Sequence, residues 1–413
     1  MTQIDHHESG PLDWIASRQQ AMVDTLIDWS AHNTGSRNIE GLTRFAAKAA
    51  EAFSPLGARI ETRDPAPAQT LDPAGQVIDL AHGPNLLLTQ RPEAPIQVLL
   101  TGHMDTVFPR DHGFQTATWL DAGTLNGPGV ADMKGGVLIL LHALLALERS
   151  PWAANIGYRV ILNSDEEVSS LGSAPLLREC GRIADLGLVF EPSMLPDGTL
   201  AGARKGIGTF AVSARGVAAH AGRNPEAGRN AILAIARYFV AIQQVHGMRD
   251  GLTVNAARIE GGGPTNVVPD QAVGRFEVRA WTPEDAAWAE SELHRIADEV
   301  SRQCDVRLAL HGHFHRPPKP MTPEAERLFE AVRECGRLLG QTITWKPSGG
   351  CCDGNNLAAV GLPVVDTLGV RGGKIHSSEE FCIVESLSER AQLAALLLMR
   401  LASGKIHRPG RIS

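Results

Sequence analysis

Residues 158–173 read YRVILNSDEEVSSLGS. The apolar run 158–162 has the length and composition of a buried strand, and Asp165, Glu166 and Glu167 follow just after its end. Three adjacent carboxylates repel one another, and burying them costs several kcal/mol unless a positive charge stands close. The triplet is either a solvated loop or one wall of a cation site, and the neighbouring strands decide between the two.

Outward from that strand, 85–89 (NLLLT), 96–101 (IQVLLT) and 186–190 (LGLVF) are further short apolar runs. Helical spacing marks 11–30, 137–147 and 173–180. Strands that alternate with helices predict an α/β fold, a mainly parallel mixed sheet covered by helices. From about residue 206 the pattern changes. Strands are predicted at 209–215, 252–259, 271–281 and 306–315, with helices at 230–244 and 283–303, the second beginning after the N-cap residue Thr282. That order, βαββαβ, is the ferredoxin-like unit. PPKP at 317–320 closes it as a stiff linker, and mixed patterns then return as far as 403. The expected organisation is an α/β domain of residues 1–205 and 317–413, interrupted by a smaller unit at 206–316.

A chain of 413 residues is long enough for two domains, and 43% hydrophobic with 21% charged residues is ordinary for a soluble protein. The net charge of -7 gives no reason to expect nucleic acid or an anionic membrane as partner. The longest apolar run, 135–147, is too short to span a bilayer and contains His142. The opening ten residues, MTQIDHHESG, lack a basic start and an apolar centre, and none of the six cysteines forms a CxxC pair. A cytoplasmic protein with reduced thiols is the expectation.

Four more stretches place acids or histidines at strand ends or helix starts. GHMDTV (102–107) offers His103 and Asp105, NGPGVADMKGG (126–136) offers Asp132, FEP (190–192) offers Glu191, and the late HSSEE (376–380) offers His376. Singly, each has a plain reading: a hydrogen-bonded histidine, an N-cap aspartate, a turn glutamate. Converging on one rim of a parallel sheet, two histidines and three carboxylates suit a pair of divalent metals. Mixed nitrogen and oxygen ligands favour zinc, with cobalt or manganese as alternatives.

In this order the motifs resemble the co-catalytic di-zinc peptidase family, metallopeptidase family 20. It includes glutamate carboxypeptidase, acetylornithine deacetylase, succinyl-diaminopimelate desuccinylase and the aminoacylases. The resemblance spans residues 14–401, and the segment GVAAHAGRNPEAGRNA (216–231) is most similar to the glutamate carboxypeptidase branch. It implies that Asp132 bridges two zinc ions, that His103 and Glu191 complete one site, and that Glu167 and His376 complete the other. Asp105 would orient His103, Glu166 would act as general base, and the Asp132–Met133 peptide bond would be cis. It also implies that 206–316 is a lid and dimerisation domain. Its His220 would cross to the active site of a second copy in a homodimer, while Asn266 and Arg279 would hold a substrate carboxylate. Gly350, in the glycine-rich loop SGGCCDGN (348–355), would approach the substrate.

The expected activity is release of a C-terminal, glutamate-like residue from a peptide or N-acyl amino acid, with an N-acyl-amino-acid deacylase as the alternative. Relatives carry a small residue and Ser or Thr where this chain has Cys351 and Cys352, so the pocket here departs from the pattern, with packing as the expected role of both thiols. HGHFH (311–315) lacks neighbouring carboxylates and is expected to be a solvated strand face rather than a second metal site.

Overall fold

The computed structural model describes residues 3–410. Six strands form the first sheet, in the order Arg59–Arg63, Asn85–Gln90, Ile156–Asn163, Ile96–His103, Leu186–Val189 and Val364–Val365. The last four run parallel and the first two join antiparallel. Alternation along the strands divides the core. Leu86, Leu88, Val98, Leu100, Val160 and Leu162 face the helices Lys134–Leu147 and Ser386–Ala402. Leu87, Leu99 and Ile161 face Ala174–Ile183 and Asp353–Ala358. With helices on both faces, the central strands are apolar at nearly every position.

Between these halves the chain builds a second sheet, entirely antiparallel, in the order Thr253–Gly261, Gln271–Ala280, Gly206–Arg215, Arg307–Arg316. The helices Ala231–Gln243 and Pro283–Cys304 cover one face and enclose a separate core around Phe210, Tyr238, Phe276 and Leu293. Thr282 Oγ1 accepts the Asp285 amide at 3.1 Å, which starts the second helix where the sequence places it. The uncovered face carries Ile207, Thr209, Arg275, Glu277 and Arg279 toward the first sheet.

Three details differ from the sequence reading. Residues 11–30 form parts of two helices, His6–Ala16 and Gln19–Ser30, since the first begins at the capping box of Asp5 and Glu8 and stops before Ser17. A hairpin of Ala68–Leu71 and Val77–Leu80, with strands of only four residues, leans on the second sheet: Arg275 Nη2 donates to the Leu71 carbonyl at 2.6 Å. The HGHFH face is not uniformly solvated, because His315 is buried. Beyond Gly312, which holds φ 104°, the register shifts by one residue between His313 and Arg316, and the end of the strand turns inward to the junction of the two sheets.

Helix Lys134–Leu147 lies flush against the end of strand Leu186–Val189. A methyl group on Gly136 would stand 1.9 Å from the Phe190 carbonyl oxygen. Gly136→Ala is expected to cost about 1–3 kcal/mol in denaturant unfolding through that overlap. It should also displace Glu191, the next residue, lowering metal content measured by atomic spectrometry.

Candidate active site

Parallel pairing sets the register of the site. His103 lies opposite Asn163 and Thr101 opposite Val189, so the C-terminal ends of three strands deliver His103, the 165–167 triplet and Glu191 to one rim. Asp132 arrives just before helix Lys134–Leu147, across a cis Asp132–Met133 peptide bond. His376 comes from the turn between Gly372–Gly373 and Phe381–Ile383 and holds a left-handed φ of 63°, uncommon for a non-glycine residue.

Asp132 stands between two sets of groups. Its Oδ1 is 3.0 Å from His103 Nε2, and Glu191 Oε2 is 3.7 Å from that same nitrogen. Its Oδ2 is 3.4 Å from His376 Nε2, which is 3.1 Å from Glu167 Oε2. Ligand atoms around a tetrahedral ion with bonds of about 2.1 Å stand roughly 3.4 Å apart. The two sets, His103–Asp132–Glu191 and Asp132–Glu167–His376, therefore fit a divalent cation each, sharing Asp132.

Charge points the same way. Burial pushes the carboxyls of Glu167 and Glu191 up, and Asp132 beside Glu167 pushes it further. Burial opposes ionisation of Asp132 too, but His103 and His376 outweigh it and hold its carboxyl below the usual range. His376 is raised to about 11, first by its contact with Asp132 and then by Glu167. This is the electrostatics of buried anions drawing on whatever positive charge is near.

The carboxylates of the opening stretch have separate work. Asp165 Oδ2 accepts the Gly172 amide at 2.6 Å and folds the loop back. The amides of Glu166 and Glu167 donate to Asp105, whose Oδ2 also accepts Ser36 Oγ at 2.8 Å. Asp105 meets His103 through its carbonyl, 2.9 Å from Nδ1, and through its carboxylate at 3.4 Å. It holds both the imidazole and the triplet. Burial pushes Glu166 up to about 7 against the opposing pull of Arg316, in the range that suits a proton acceptor.

A cavity of about 490 Å³ opens onto these residues. Arg279 and Gly350 line it, and Arg279 Nη1 donates to the Gly349 carbonyl at 2.8 Å. Cys351 and Cys352 line it as well; burial pushes both thiols up, which keeps them neutral packing groups. His220 and Asn266 are not brought in. They sit together on an exposed two-stranded turn, where the Ala221 amide donates to the Asn266 carbonyl at 2.9 Å. Asn266 and Arg279, expected to act on one carboxylate, are separated within a single chain.

Glu380 and Arg204 are among the residues that escaped the sequence reading. Glu380, buried, accepts the amides of Gly129, Ala131 and Asp132 at 3.2, 2.9 and 3.0 Å and so fixes the backbone of the shared aspartate. Its position in HSSEE was the available signal. Arg204, buried in the cavity wall, is bound through two nitrogens by Asp366 and donates to the Gly350 carbonyl at 3.0 Å. Nothing in its local sequence marks it.

Residues 99–400 match the sequence profile of peptidase family M20/M25/M40. Carboxypeptidase G2 of Pseudomonas sp. (strain RS-16) is 28% identical over 393 residues, covering 94% of this chain and 91% of that protein. A succinyl-diaminopimelate desuccinylase of Xanthomonas oryzae pv. oryzae is 31% identical over 337 residues, 77% of this chain and 86% of its own. A solved Staphylococcus aureus tripeptidase shares the fold with a TM-score of 0.73 at 22% identity, over 93% of this chain and 99% of that one. A dinuclear metal-binding peptidase of Bacillus subtilis does so with a TM-score of 0.66 at 15% identity, over 94% and 99%. The chain belongs to peptidase family M20/M25/M40, a family of metal-dependent hydrolases.

Proposed function

We propose that this chain is a zinc-dependent hydrolase that releases a C-terminal, glutamate-like amino acid from a peptide or an N-acyl amino acid. The observation that carries the reading is Asp132, with one carboxylate oxygen turned to each of two ligand sets and Glu166 beside them. His103 and Glu191 would hold one ion with Asp132, and Glu167 and His376 the other. Bound there, the pair supplies the Lewis acidity that polarises an amide carbonyl and acidifies water. Glu166 takes the proton of the attacking water and returns it to the leaving amine. The guanidinium of Arg279 and the ammonium of Lys374, both in the cavity wall, suit a substrate carboxylate. Similarity to carboxypeptidase G2 over almost the whole chain supports release of a C-terminal residue, and the glutamate-like preference follows the resemblance carried by residues 216–231. Similarity to the desuccinylases favours the second reading, an N-acyl-amino-acid deacylase with the same metal ligands.

The exposed position of His220, outside its own chain's cavity, supports a homodimer in which the unit 206–316 acts as lid and lends His220 and Asn266 to the partner. His220 would then donate to the oxyanion of the tetrahedral intermediate. Among the described residues no helix is long and apolar enough to cross a membrane. A cytoplasmic setting remains part of this proposal.

Glu166→Ala is expected to lower kcat by about 10²–10⁴-fold while two metals per chain remain bound; retained turnover would refute the base. Glu380→Ala, which frees the Asp132 backbone, should weaken metal affinity about 10–100-fold in a chelator competition. Mixing His220→Ala with Glu166→Ala chains tests the crossing histidine. Random reassortment of a twofold dimer should restore about a quarter of wild-type activity if His220 acts in trans, and nothing if it acts in cis. Rates on glutamyl, aspartyl, neutral and succinylated substrates rank the two readings.

A further inference from the structure

One buried cation in the cavity wall has no part in the scheme so far. Arg316 ends the outermost strand of the second sheet, Arg307–Arg316, and is buried against the first. Its Nη2 lies 2.8 Å from Glu166 Oε1, 2.5 Å from the Glu166 carbonyl oxygen and 2.8 Å from Ser170 Oγ. That nitrogen donates its two hydrogens to the Glu166 carbonyl and to Ser170 Oγ, and it meets the Glu166 carboxylate as an ion pair, so residue 166 is held at backbone and side chain alike. A glutamate side chain has three free torsions, and tying its carboxylate to the group that holds its own carbonyl removes most of that freedom. Asp353 Oδ1, 3.9 Å from the same nitrogen, is itself occupied by Ser170 Oγ at 2.6 Å, so it steadies the far side without displacing Glu166.

We propose that Arg316 is the positioning residue of the general base: it holds Glu166 through Oε1 and leaves Oε2 for the proton of the attacking water. The inference rests on the reading of Glu166 as base. It goes beyond that reading in giving the second sheet a share in the chemistry of its own chain. Ile207 pairs with Arg279 on one neighbouring strand and with Arg316 on the other. The arginine offered to the substrate carboxylate and the arginine that holds the base therefore sit on one rung, two strand spacings of about 4.8 Å apart. A shift of that rung moves both guanidinium groups, so the sheet that grips the substrate also sets the base. The rival role follows from the same location, because Arg316 lines the cavity and could serve as a substrate anchor instead.

The two roles separate in kinetics. Zinc-loaded full-length protein is assayed on an N-acyl-glutamate as wild type, Arg316→Ala, Arg316→Lys, Glu166→Ala and the double variant Glu166→Ala/Arg316→Ala, with metal content measured for each. A positioning role predicts that Arg316→Ala lowers kcat about 100-fold, the lower end of what a general base contributes, with KM within about threefold and both metals retained. Added guanidinium should recover part of the rate. The double variant should be no slower than Glu166→Ala, and calorimetry should show it binding substrate as tightly as Glu166→Ala does. A raised KM with unchanged kcat, or weaker substrate binding in the double variant, overturns the proposal in favour of an anchor; an unchanged kcat overturns it outright. If Arg316→Ala fails to fold, Arg316→Lys decides. Its shorter, single-pronged cation should lower kcat at constant KM, and wild-type kcat there overturns the proposal. Full activity in Glu166→Ala would instead refute the base itself, a result distinguishable from any failure of Arg316.

Discussion

The carboxylate of Asp132 must lie between two imidazoles and two glutamates inside the protein, and nearly every long-range feature of the fold serves that requirement. Burying four acids on one rim is unfavourable unless cations compensate them. The chain meets this by rigidity rather than by solvent. Glu380 accepts three backbone amides at and just before Asp132, and Asp105 binds the amides of Glu166 and Glu167. Lys134, buried, ties the start of the following helix to the carbonyls of Trp29 and His32 at 3.0 and 2.7 Å. These contacts hold acidic ligands at spacings they would not adopt freely.

The second sheet answers a different constraint. A site at an open rim needs a second wall to become a cavity, and the uncovered face of the antiparallel sheet supplies one, with Ile207 and Arg279 at its near end. Its opposite face buries an apolar core of its own under two helices, separate from the core of the first sheet. The hairpin Ala68–Leu71 and Val77–Leu80 braces the joint through Arg275 and through Arg215, whose Nη2 donates to the Ala74 carbonyl at 2.9 Å.

Legibility followed the range of the interaction. Strands 96–101 and 158–162 were readable because a buried parallel strand is a short apolar run bounded by polar residues. The helix after Thr282 was readable because an N-cap acts within three residues. The helix pair inside 11–30 was not, since its interruption at Ser17 leaves the apolar spacing nearly intact. His315 was misread because a period-2 pattern assumes a straight strand, and the register shift between His313 and Arg316 breaks that assumption. Glu380 lay in plain view within HSSEE, but its partners are some 250 positions away, at 248–251 residues of separation.

What the sequence by itself determined was the class of fold, the βαββαβ insertion and, with the family resemblance, the short list of acids and histidines. All of these rest on residue type and local spacing. Tertiary structure decided which oxygen of Asp132 faces which histidine, that Asp105 holds the triplet as well as His103, and that Arg204 is neutralised by Asp366 in the cavity wall. It also placed His220 and Asn266 outside the cavity that Arg279 enters. Those outcomes depend on strand register and on contacts between segments hundreds of residues apart, and no local pattern encodes a distance between two side chains that meet only when the sheets close.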